Sequence, residues 1–301
     1  MLPFYRFLLL SSFLSGSFLP GNGQPASPPA EIAGFSHPES VCQSRNTLFV
    51  SNIGAGLEPF AKDGDGFISK VDLATGRVED LHFLPADGVL HAPKGMALYG
   101  NTLYVADIDH IVGFDIGTRK RVVDLAIAGT NSLNDLVIGD GKLYASATNP
   151  GTIFAIDLQT LAYRMLPLTD SVVGANGLCY DGAASRLYCV GVGTMKKPDG
   201  RLYAIDVHSS RVTVISNYEG VLDGLAKQGN TLYFSDWKGM DTKGVLVAVD
   251  MGTNRVREIR LSRGAIGGPA DFCISEDGKY FIVPATLEGK VLIIGENAIL
   301  P

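Results

Sequence analysis

Hydrophobic and polar residues alternate with a period of two along most of the chain, in short segments bounded by Gly, Asp and Asn. A period of two is typical of β-strands with one buried face, whereas an amphipathic helix needs a period near 3.6. No long stretch of the sequence has the helical period. The pattern therefore predicts an all-β protein made of many short strands.

One hydrophobic motif repeats six times and sets the organisation of the chain. Its copies begin at residues 46, 101, 141, 185, 230 and 278, so they lie 55, 40, 44, 45 and 48 residues apart. A strand-like segment precedes and follows each copy, and the first five units carry a fourth, weaker one. Repeats of this length are typical of propeller blades, so we predict a six-bladed β-propeller of four-stranded antiparallel blades around a central channel. The six copies are "NTLFVS", "NTLYVA", "GKLYAS", "SRLYCV", "NTLYFS" and "GKYFIV".

The start of the chain has a different composition. Residues 1–23 carry an Arg, a short apolar segment and then small residues, a pattern typical of a signal peptide, which predicts export to the periplasm or the medium. Serines interrupt the apolar segment, which argues against a membrane-spanning helix, so we expect no membrane association after cleavage. Residues 24–34 are predicted to form a linker and residues 35–301 the propeller. Residues 29–36 are expected to supply the outer strand of the sixth blade, because an unpaired edge there would invite aggregation.

The innermost predicted strands begin with a column of polar residues. Equivalent positions in six blades face one mouth of the channel, so residues scattered over the sequence become one ring. Four of the six are oxygen donors, two ionised and two neutral, which is the ligand set of a hard divalent cation. The column holds no His or Cys and is a poor zinc site. We therefore predict a cation site, with Ca²⁺ favoured over Mg²⁺ or Mn²⁺. The ring residues are Glu39, Lys94, Asn134, Asn176, Asp223 and Ala270.

A resemblance to a known family rests on the same segments. "NDLVIGDGKLYAS", "NGLCYDGAASRLYCV" and "LDGLAKQGNTLYFSDW", with Glu39 opening the first unit, resemble the regucalcin/gluconolactonase family of six-bladed propellers, whose wider relatives include paraoxonases and the diisopropyl-fluorophosphatase type. The resemblance covers residues 35–301. It implies that Glu39, Asn176 and Asp223 bind a catalytic divalent ion and that Asn134 is a fourth ligand or a substrate contact. It also implies hydrolysis of lactones or related esters, with Asp223 as base or nucleophile.

Two positions depart from the family pattern. Family members often carry an arginine two residues before the Asn134 equivalent to hold a sugar acid, and Ser132 stands there in this chain. Lys94 occupies the metal column, in a unit that also resembles an NHL repeat. Its ammonium either extends along the channel rim into solvent, or contacts a substrate oxyanion, or competes with the metal.

Further residues near the predicted mouth have candidate roles. His37 and His91 lie shortly before Glu39 and Lys94 and could contact substrate or transfer protons. Trp237 is expected either to line the rim or to pack between blades. The aspartates that end strands in most units, such as Asp157, are interpreted as turn residues.

The four cysteines permit disulfides in an exported protein. Cys179 and Cys189 lie across one predicted hairpin and are the first candidate pair. Cys42 and Cys273, in the first and last units, are the second.

Two functions remain open from the sequence. A net charge of −6 without a cluster of Lys and Arg argues against nucleic acid, so a small molecule is the expected partner. The chain is either a metal-dependent hydrolase of lactones or esters, or a non-catalytic exported propeller that binds a ligand or another protein. The difference depends on how the loops 54–64 and 191–200, which are predicted to cover the mouth, surround the ion. The sequence does not indicate the oligomeric state.

Overall fold

The computed structural model describes residues 27–239 and 241–301, and the predicted signal peptide lies outside these residues. Within them the regular secondary structure is β-strand apart from two short 3₁₀ helices, Thr286–Glu288 and Glu296–Ala298. In this part of the chain no helix has the length and apolarity needed to cross a membrane. The strands are β1 (Glu31–Ala33), β2 (Pro38–Ser44), β3 (Thr47–Asn52), β4 (Phe67–Asp72), β5 (Arg77–Leu84), β6 (Pro93–Tyr99), β7 (Thr102–Asp107), β8 (His110–Asp115), β9 (Arg121–Ala126), β10 (Leu133–Gly139), β11 (Lys142–Ala147), β12 (Thr152–Asp157), β13 (Tyr163–Met165), β14 (Ala175–Asp181), β15 (Arg186–Gly191), β16 (Leu202–Asp206), β17 (Val212–Val214), β18 (Leu222–Gln228), β19 (Thr231–Asp236), β20 (Val245–Asp250), β21 (Val256–Ile259), β22 (Cys273–Ile274), β23 (Tyr280–Ala285) and β24 (Lys290–Gly295).

Six four-stranded antiparallel sheets form the blades of a propeller. Blades 1 to 5 each contain four consecutive strands, from β2–β5 to β18–β21, and blade 6 has the order β1-β24-β23-β22. The first strand of each blade, β2, β6, β10, β14, β18 or β22, contacts the first strand of the next blade, and β22 contacts β2. These six inner strands therefore form a closed circle, and the predicted six-bladed propeller is confirmed.

The ring is closed by the two ends of the folded chain. β1 pairs with β24, with Glu31 opposite Leu292 and Ile32 opposite Val291. Ile32 is buried in the contact between blades 6 and 1. The outer strand expected from residues 29–36 is thus present, and it covers the edge that β24 would otherwise expose.

The hydrophobic core is divided among the six interfaces between neighbouring blades. Each of the six large clusters of buried side chains combines residues of two adjacent blades; Leu143 and Phe154 of blade 3, for example, pack with Tyr104 and Ile111 of blade 2. The Leu and Tyr positions of the repeated motif thus point to opposite faces of a blade and serve different interfaces.

The cysteines belong to these interfaces, and the predicted bridge between Cys179 and Cys189 is wrong. Leu178 pairs with Cys189, and Cys179 pairs with Tyr188. The two thiols are therefore offset by one residue and point to opposite faces of the sheet. Cys189 is buried against blade 3, Cys179 packs against blade 5, and all four cysteines are free.

The aspartates that end the third strands are turn residues, as interpreted from the sequence. Each carboxylate accepts hydrogen bonds from the backbone N–H and the hydroxyl of a Thr or Ser three residues later. These bonds lower the pKa of each aspartate. The pairs are Asp72–Thr75, Asp115–Thr118, Asp157–Thr160, Asp206–Ser209 and Asp250–Thr253.

The inner strands β14 and β18 approach each other closely at Gly177. A Cβ atom added at Gly177 in β14 would lie 2.2 Å from the backbone oxygen of Asp223 in β18. We expect Gly177→Ala to lower the free energy of unfolding by about 2 kcal/mol or more, because two backbones must separate to admit the methyl group. Urea denaturation measures the change.

Gly182→Ala is the matched control. A Cβ atom there has its nearest neighbour, the Tyr180 ring, at 3.7 Å. Equal losses of stability in the two variants would contradict close packing of the inner strands at Gly177.

Candidate functional site

The inner strands of blades 1 to 5 are bulged where the ring residues stand. In β10 the pairing with β11 shifts register between Leu133 and Leu136, so Asn134 and Asp135 lie outside the ladder. A bulge bends the strand and redirects the side chains of the unpaired residues. This explains how a strand can begin with an Asn and an Asp, residues that are unfavourable inside a sheet. The other four shifts lie between Pro38 and Ser40, Pro93 and Met96, Ala175 and Leu178, and Leu222 and Leu225.

In three blades a serine hydroxyl stabilises the bulge. This serine ends the repeated motif on the second strand, and its Oγ accepts the N–H of the residue that follows the ring position. The hydroxyl supplies a partner for an N–H that is buried and outside the regular ladder. The pairs are Ser51 with Ser40 (2.9 Å), Ser146 with Asp135 (2.9 Å) and Ser235 with Gly224 (2.8 Å).

Five of the six ring residues come together in the wall of one cavity. Its volume is about 250 Å³, and Glu39, Lys94, Asn134, Asn176 and Asp223 line it. Ala270, the sixth, is buried but does not line the cavity. The bulges therefore bring residues from five blades to one mouth of the channel, as the sequence predicts.

Each of the four predicted ligands has one oxygen without a hydrogen-bond partner. Only five buried side-chain atoms in the described residues lack one, and four of them are Glu39 Oε2, Asn134 Oδ1, Asn176 Oδ1 and Asp223 Oδ1. Leaving a buried polar atom unsatisfied is costly, and such atoms in a folded protein call for an explanation. A bound cation would satisfy all four oxygens together.

The chemistry of this donor set fits a hard divalent cation. Two carboxylates and two amide carbonyls supply only oxygen, which Ca²⁺ prefers and Zn²⁺ does not. Within the described residues no group of three or more His, Cys, Asp and Glu side chains is arranged to hold a metal. The ring contributes two such residues, and its other two donors are amides.

Burial dominates the titration of the two ring carboxylates. Burial first, and the charge of Asp271 second, raise the pKa of Asp223 to about 7, although hydrogen bonds from the indole of Trp237 and the amide of Asn176 act to lower it. Burial also raises the pKa of Glu39 well above its usual range, with the negative charge of Asp223 as the second cause. The positive charge of Lys94 opposes both increases.

Two buried aspartates next to the ring are absent from the sequence-based site. Asp135 follows Asn134 and accepts the N–H of Leu178 in the next blade at 2.6 Å. Asp271 follows Ala270 and accepts the hydroxyl of Ser40, which links blade 6 to blade 1. Burial raises the pKa of Asp271 to about 7 and that of Asp135 well above its usual range. The sequence carries a signal for these two aspartates, because the residue that directly follows each of the six ring positions is Gly, Ser or Asp.

Of the three sequence-based alternatives for Lys94, extension along the rim into solvent is wrong, and contact with a substrate oxyanion or competition with the metal stays a prediction. Its side chain is buried, so it does not extend along the rim into solvent. The ammonium donates to the carbonyls of Pro59 (2.7 Å) and Ala92 (3.0 Å) and lies 5.8 Å from the centre of the Phe60 ring. It therefore holds the loop 54–64 over the cavity. Burial lowers the pKa of Lys94, and the charge of Glu39 opposes this effect.

Trp237 lines the cavity and orients a ring carboxylate. Its Nε1 donates to Asp223 Oδ2 at 2.8 Å, and the side chain is buried. One carboxylate oxygen is thereby fixed, and the unpartnered Oδ1 remains for another ligand. The sequence left two positions open for Trp237, lining the rim or packing between blades, and its place in the cavity wall agrees with the first.

The two histidines predicted to contact substrate do not line the cavity. His37 Nδ1 lies 3.0 Å from the carbonyl of Gly54, at the base of the loop 54–64. The backbone N–H of His91 donates to Asp107, and its Nδ1 is the fifth buried atom without a partner in the described residues. The loops 54–64 and 191–200 do reach the mouth, where they contribute side chains such as Phe60 and Met195.

The raised pKa values predict an unusual pH dependence of stability. A carboxyl whose pKa is higher in the folded state binds more protons when folded, so its contribution to stability falls as the pH rises from about 4 to above 7. We expect the metal-free protein to lose thermal stability between pH 5 and pH 8 because of Asp223, Asp271, Glu39 and Asp135. Thermal unfolding in a chelator measures the slope.

Asp271→Asn is the diagnostic variant for this pH dependence. The amide oxygen can still accept the Ser40 hydroxyl, but it removes one buried charge that raises the pKa of Asp223. A flatter decline of melting temperature between pH 5 and 8 is expected. An unchanged slope would contradict the coupling between these carboxylates.

Removing the indole donor should act on Asp223 specifically. We expect Trp237→Phe to weaken Ca²⁺ binding by roughly tenfold, because Asp223 loses a charge-assisted hydrogen bond that orients it and lowers its pKa. Isothermal calorimetry at pH 7 gives the affinity.

The control is Tyr218→Phe, which removes a 2.8 Å hydrogen bond to Asp236 away from the cavity. The control should keep the affinity, and equal weakening in both variants would refute an orienting role for Trp237.

Similarity to known proteins establishes the fold of this chain and does not establish its function. No family model matches the chain, and no curated protein sequence matches it significantly. A chain in the crystal structure of a nidogen/laminin complex is 22% identical, over 73% of this chain and 78% of that chain, with a TM-score of 0.57. A chain of Kuenenia stuttgartiensis hydrazine synthase is 15% identical, over 89% of this chain and 77% of that chain, with a TM-score of 0.58. At these identities the similarity establishes a propeller architecture, and the regucalcin/gluconolactonase resemblance remains an interpretation of the motifs.

Proposed function

We propose that this chain is an exported, divalent-metal-dependent hydrolase of lactones or related esters, with Glu39, Asn134, Asn176 and Asp223 as the ligands of the ion. Ca²⁺ is the favoured ion because all four donors are hard oxygens. The pattern of residues 1–23 supports export. The motifs of the inner strands support the reaction class through their resemblance to the regucalcin/gluconolactonase family.

One observation carries the proposal. Four oxygens from four different blades are buried at one cavity, and each lacks a hydrogen-bond partner. Asn and Asp side chains that only end strands or turns would use their oxygens locally, as Asp157 does in its turn. The ring residues do not. Their shared feature is therefore better explained by a ligand held in common than by local structure.

The four ligand residues and Trp237 each have a role in the proposed hydrolysis. When bound, a divalent ion polarises an ester carbonyl and lowers the pKa of water. Glu39, Asn134 and Asn176 hold their oxygens at the cavity wall through the bulges. Trp237 fixes Asp223 Oδ2, so Oδ1 is the atom that faces the ligand or the attacking water.

Asp223 is the proposed general base. The water oxygen bonds to the acyl carbon while one water proton passes to the Asp223 carboxylate. The acyl–oxygen bond then breaks, and the alkoxide that leaves takes the proton from Asp223. The products are a carboxylic acid and an alcohol, which remain in one molecule when the substrate is a lactone.

A non-catalytic binding propeller is the second candidate. The buried ammonium of Lys94 ties the loop 54–64 to the wall of the cavity, and a cavity with a fixed wall can retain a ligand without turnover. This candidate shares the ion and the cavity with the first. It differs in predicting binding with no hydrolysis.

The decisive experiment combines metal binding with turnover. The mature protein is stripped with a chelator, resupplied with Ca²⁺, Mg²⁺ or Mn²⁺, and assayed on a panel of lactones and aryl esters. We expect activity to return with the ion, and Asp223→Ala to lower kcat/KM by about 100-fold or more, because a general base contributes 10²–10⁴-fold.

Asp157→Ala is the matched control. It removes a half-buried aspartate that serves a turn and does not line the cavity, so both activity and ion affinity should remain. Calorimetry reports the ion separately from turnover. Ion binding without hydrolysis of any substrate would favour the binding propeller, and the absence of ion binding would refute both the ligand set and the hydrolase.

A further inference from the structure

The wall of the cavity above the ring is mainly apolar. Beyond the ring residues it is formed by side chains from the inter-strand loops and strand ends of several blades. The apolar lining includes Ile53, Leu57, Phe60, Val192, Met195 and Val221. A wall of this composition favours ligands that bury hydrocarbon, because apolar surface removed from water contributes to affinity in proportion to its area.

The polar groups of the wall are already engaged with the protein. Thr148 Oγ1 donates to the carbonyl of Ala175 at 3.0 Å, and Thr286 Oγ1 donates to that of Pro38 at 2.7 Å. Each hydroxyl has a single proton to donate. Neither threonine can therefore donate to a substrate without breaking a bond to the protein backbone.

The positive charge of the wall is engaged as well. The Lys94 ammonium donates to two backbone carbonyls, and it is the one Lys or Arg among the residues that line the described cavity. The position that precedes Asn134 by two residues is Ser132, whose hydroxyl donates to the carbonyl of Asn149. The single ammonium of the wall thus spends two of its three protons on the protein, and the hydroxyls of Thr148 and Thr286 have no proton left for a sugar.

The mouth extends the apolar surface outward. Phe60 and Met195 are 59% and 62% exposed although both line the cavity. They come from the two loops that reach the mouth. An alkyl chain or aromatic ring attached to a carbonyl at the ring residues could follow this surface toward solvent.

We infer that the ligand is an uncharged ester or lactone with an alkyl or aryl substituent, and not the lactone of a sugar acid. The inference rests on the proposed hydrolase for its reacting group, the carbonyl. Its apolar part depends only on the wall. The cavity supplies oxygens of the ring at one end and hydrocarbon at the other, so it complements a molecule with one polar end.

Two lactones with the same six-membered ring provide the test. δ-Decanolactone carries a pentyl chain, and glucono-δ-lactone carries hydroxyl groups. Each buried methylene contributes roughly fourfold in affinity, so kcat/KM for δ-decanolactone should exceed that for glucono-δ-lactone by about 100-fold or more. Equal or better hydrolysis of glucono-δ-lactone would overturn the inferred ligand class and leave the hydrolase intact.

Binding is measured apart from hydrolysis. Trp237 is the single tryptophan of the chain and lines the cavity, so its fluorescence reports occupancy. The probe is the lactam analogue of δ-decanolactone, which resists hydrolysis, in the presence of Ca²⁺. Saturable binding of this lactam without turnover of any lactone would support the ligand class and refute the hydrolase. Absence of both binding and turnover would overturn the ligand class too.

A pair of methionine variants locates the apolar contact. Met195→Gln should lower kcat/KM for δ-decanolactone about tenfold relative to the unsubstituted δ-valerolactone, and it should weaken lactam binding. Met165→Gln is the control, because Met165 is similarly exposed at 55% but lies away from the cavity. Equal effects of both variants would contradict a pentyl chain lying against Met195.

Discussion

The close approach of six inner strands around one channel is the constraint on which the rest of the structure depends. Gly95, Gly177 and Gly224 each stand where an added Cβ would lie 2.2–2.8 Å from the backbone of the neighbouring blade. Five of the inner strands bulge at this level of the channel. The bulges direct Glu39, Asn134, Asn176 and Asp223 at one cavity. The same crowding buries Asp135 and Asp271, so the carboxylates interact with one another and titrate far from their usual range.

Much of this arrangement could be predicted because the repeat fixes the register. Once the motif on the second strand is aligned, Asn134 and Asp223 occupy equivalent positions, and propeller symmetry places them on one ring. The closing strand near Ile32 was predictable because the sixth unit lacks a fourth strand. These inferences need only periodicity and the avoidance of an open edge.

The features that the sequence did not predict depend on which face a side chain takes. Cys179 and Cys189 looked like partners until the pairing of Cys189 with Leu178 placed the thiols on opposite faces. Lys94 shares the ring position, yet its long side chain reaches a carbonyl in a loop more than 30 residues away in sequence. The bond from Trp237 to Asp223 depends on the path of the chain after β19. No local pattern encodes such contacts, because a one-residue offset changes the face and a flexible side chain chooses its partner in three dimensions.

Closure of the ring by β1 has a consequence for how the protein acquires its structure. Lys290 and Glu31 form an ion pair across 259 residues of sequence, beside the pairing of β1 with β24. Contacts of such long range slow folding, because a large loop entropy is lost before they form. Blade 6 draws its outer strand from one end of the folded chain and its other strands from the opposite end. Synthesis must therefore reach β24 before the last blade can assemble, and until then strand edges at both ends of the sheet array are open to other chains.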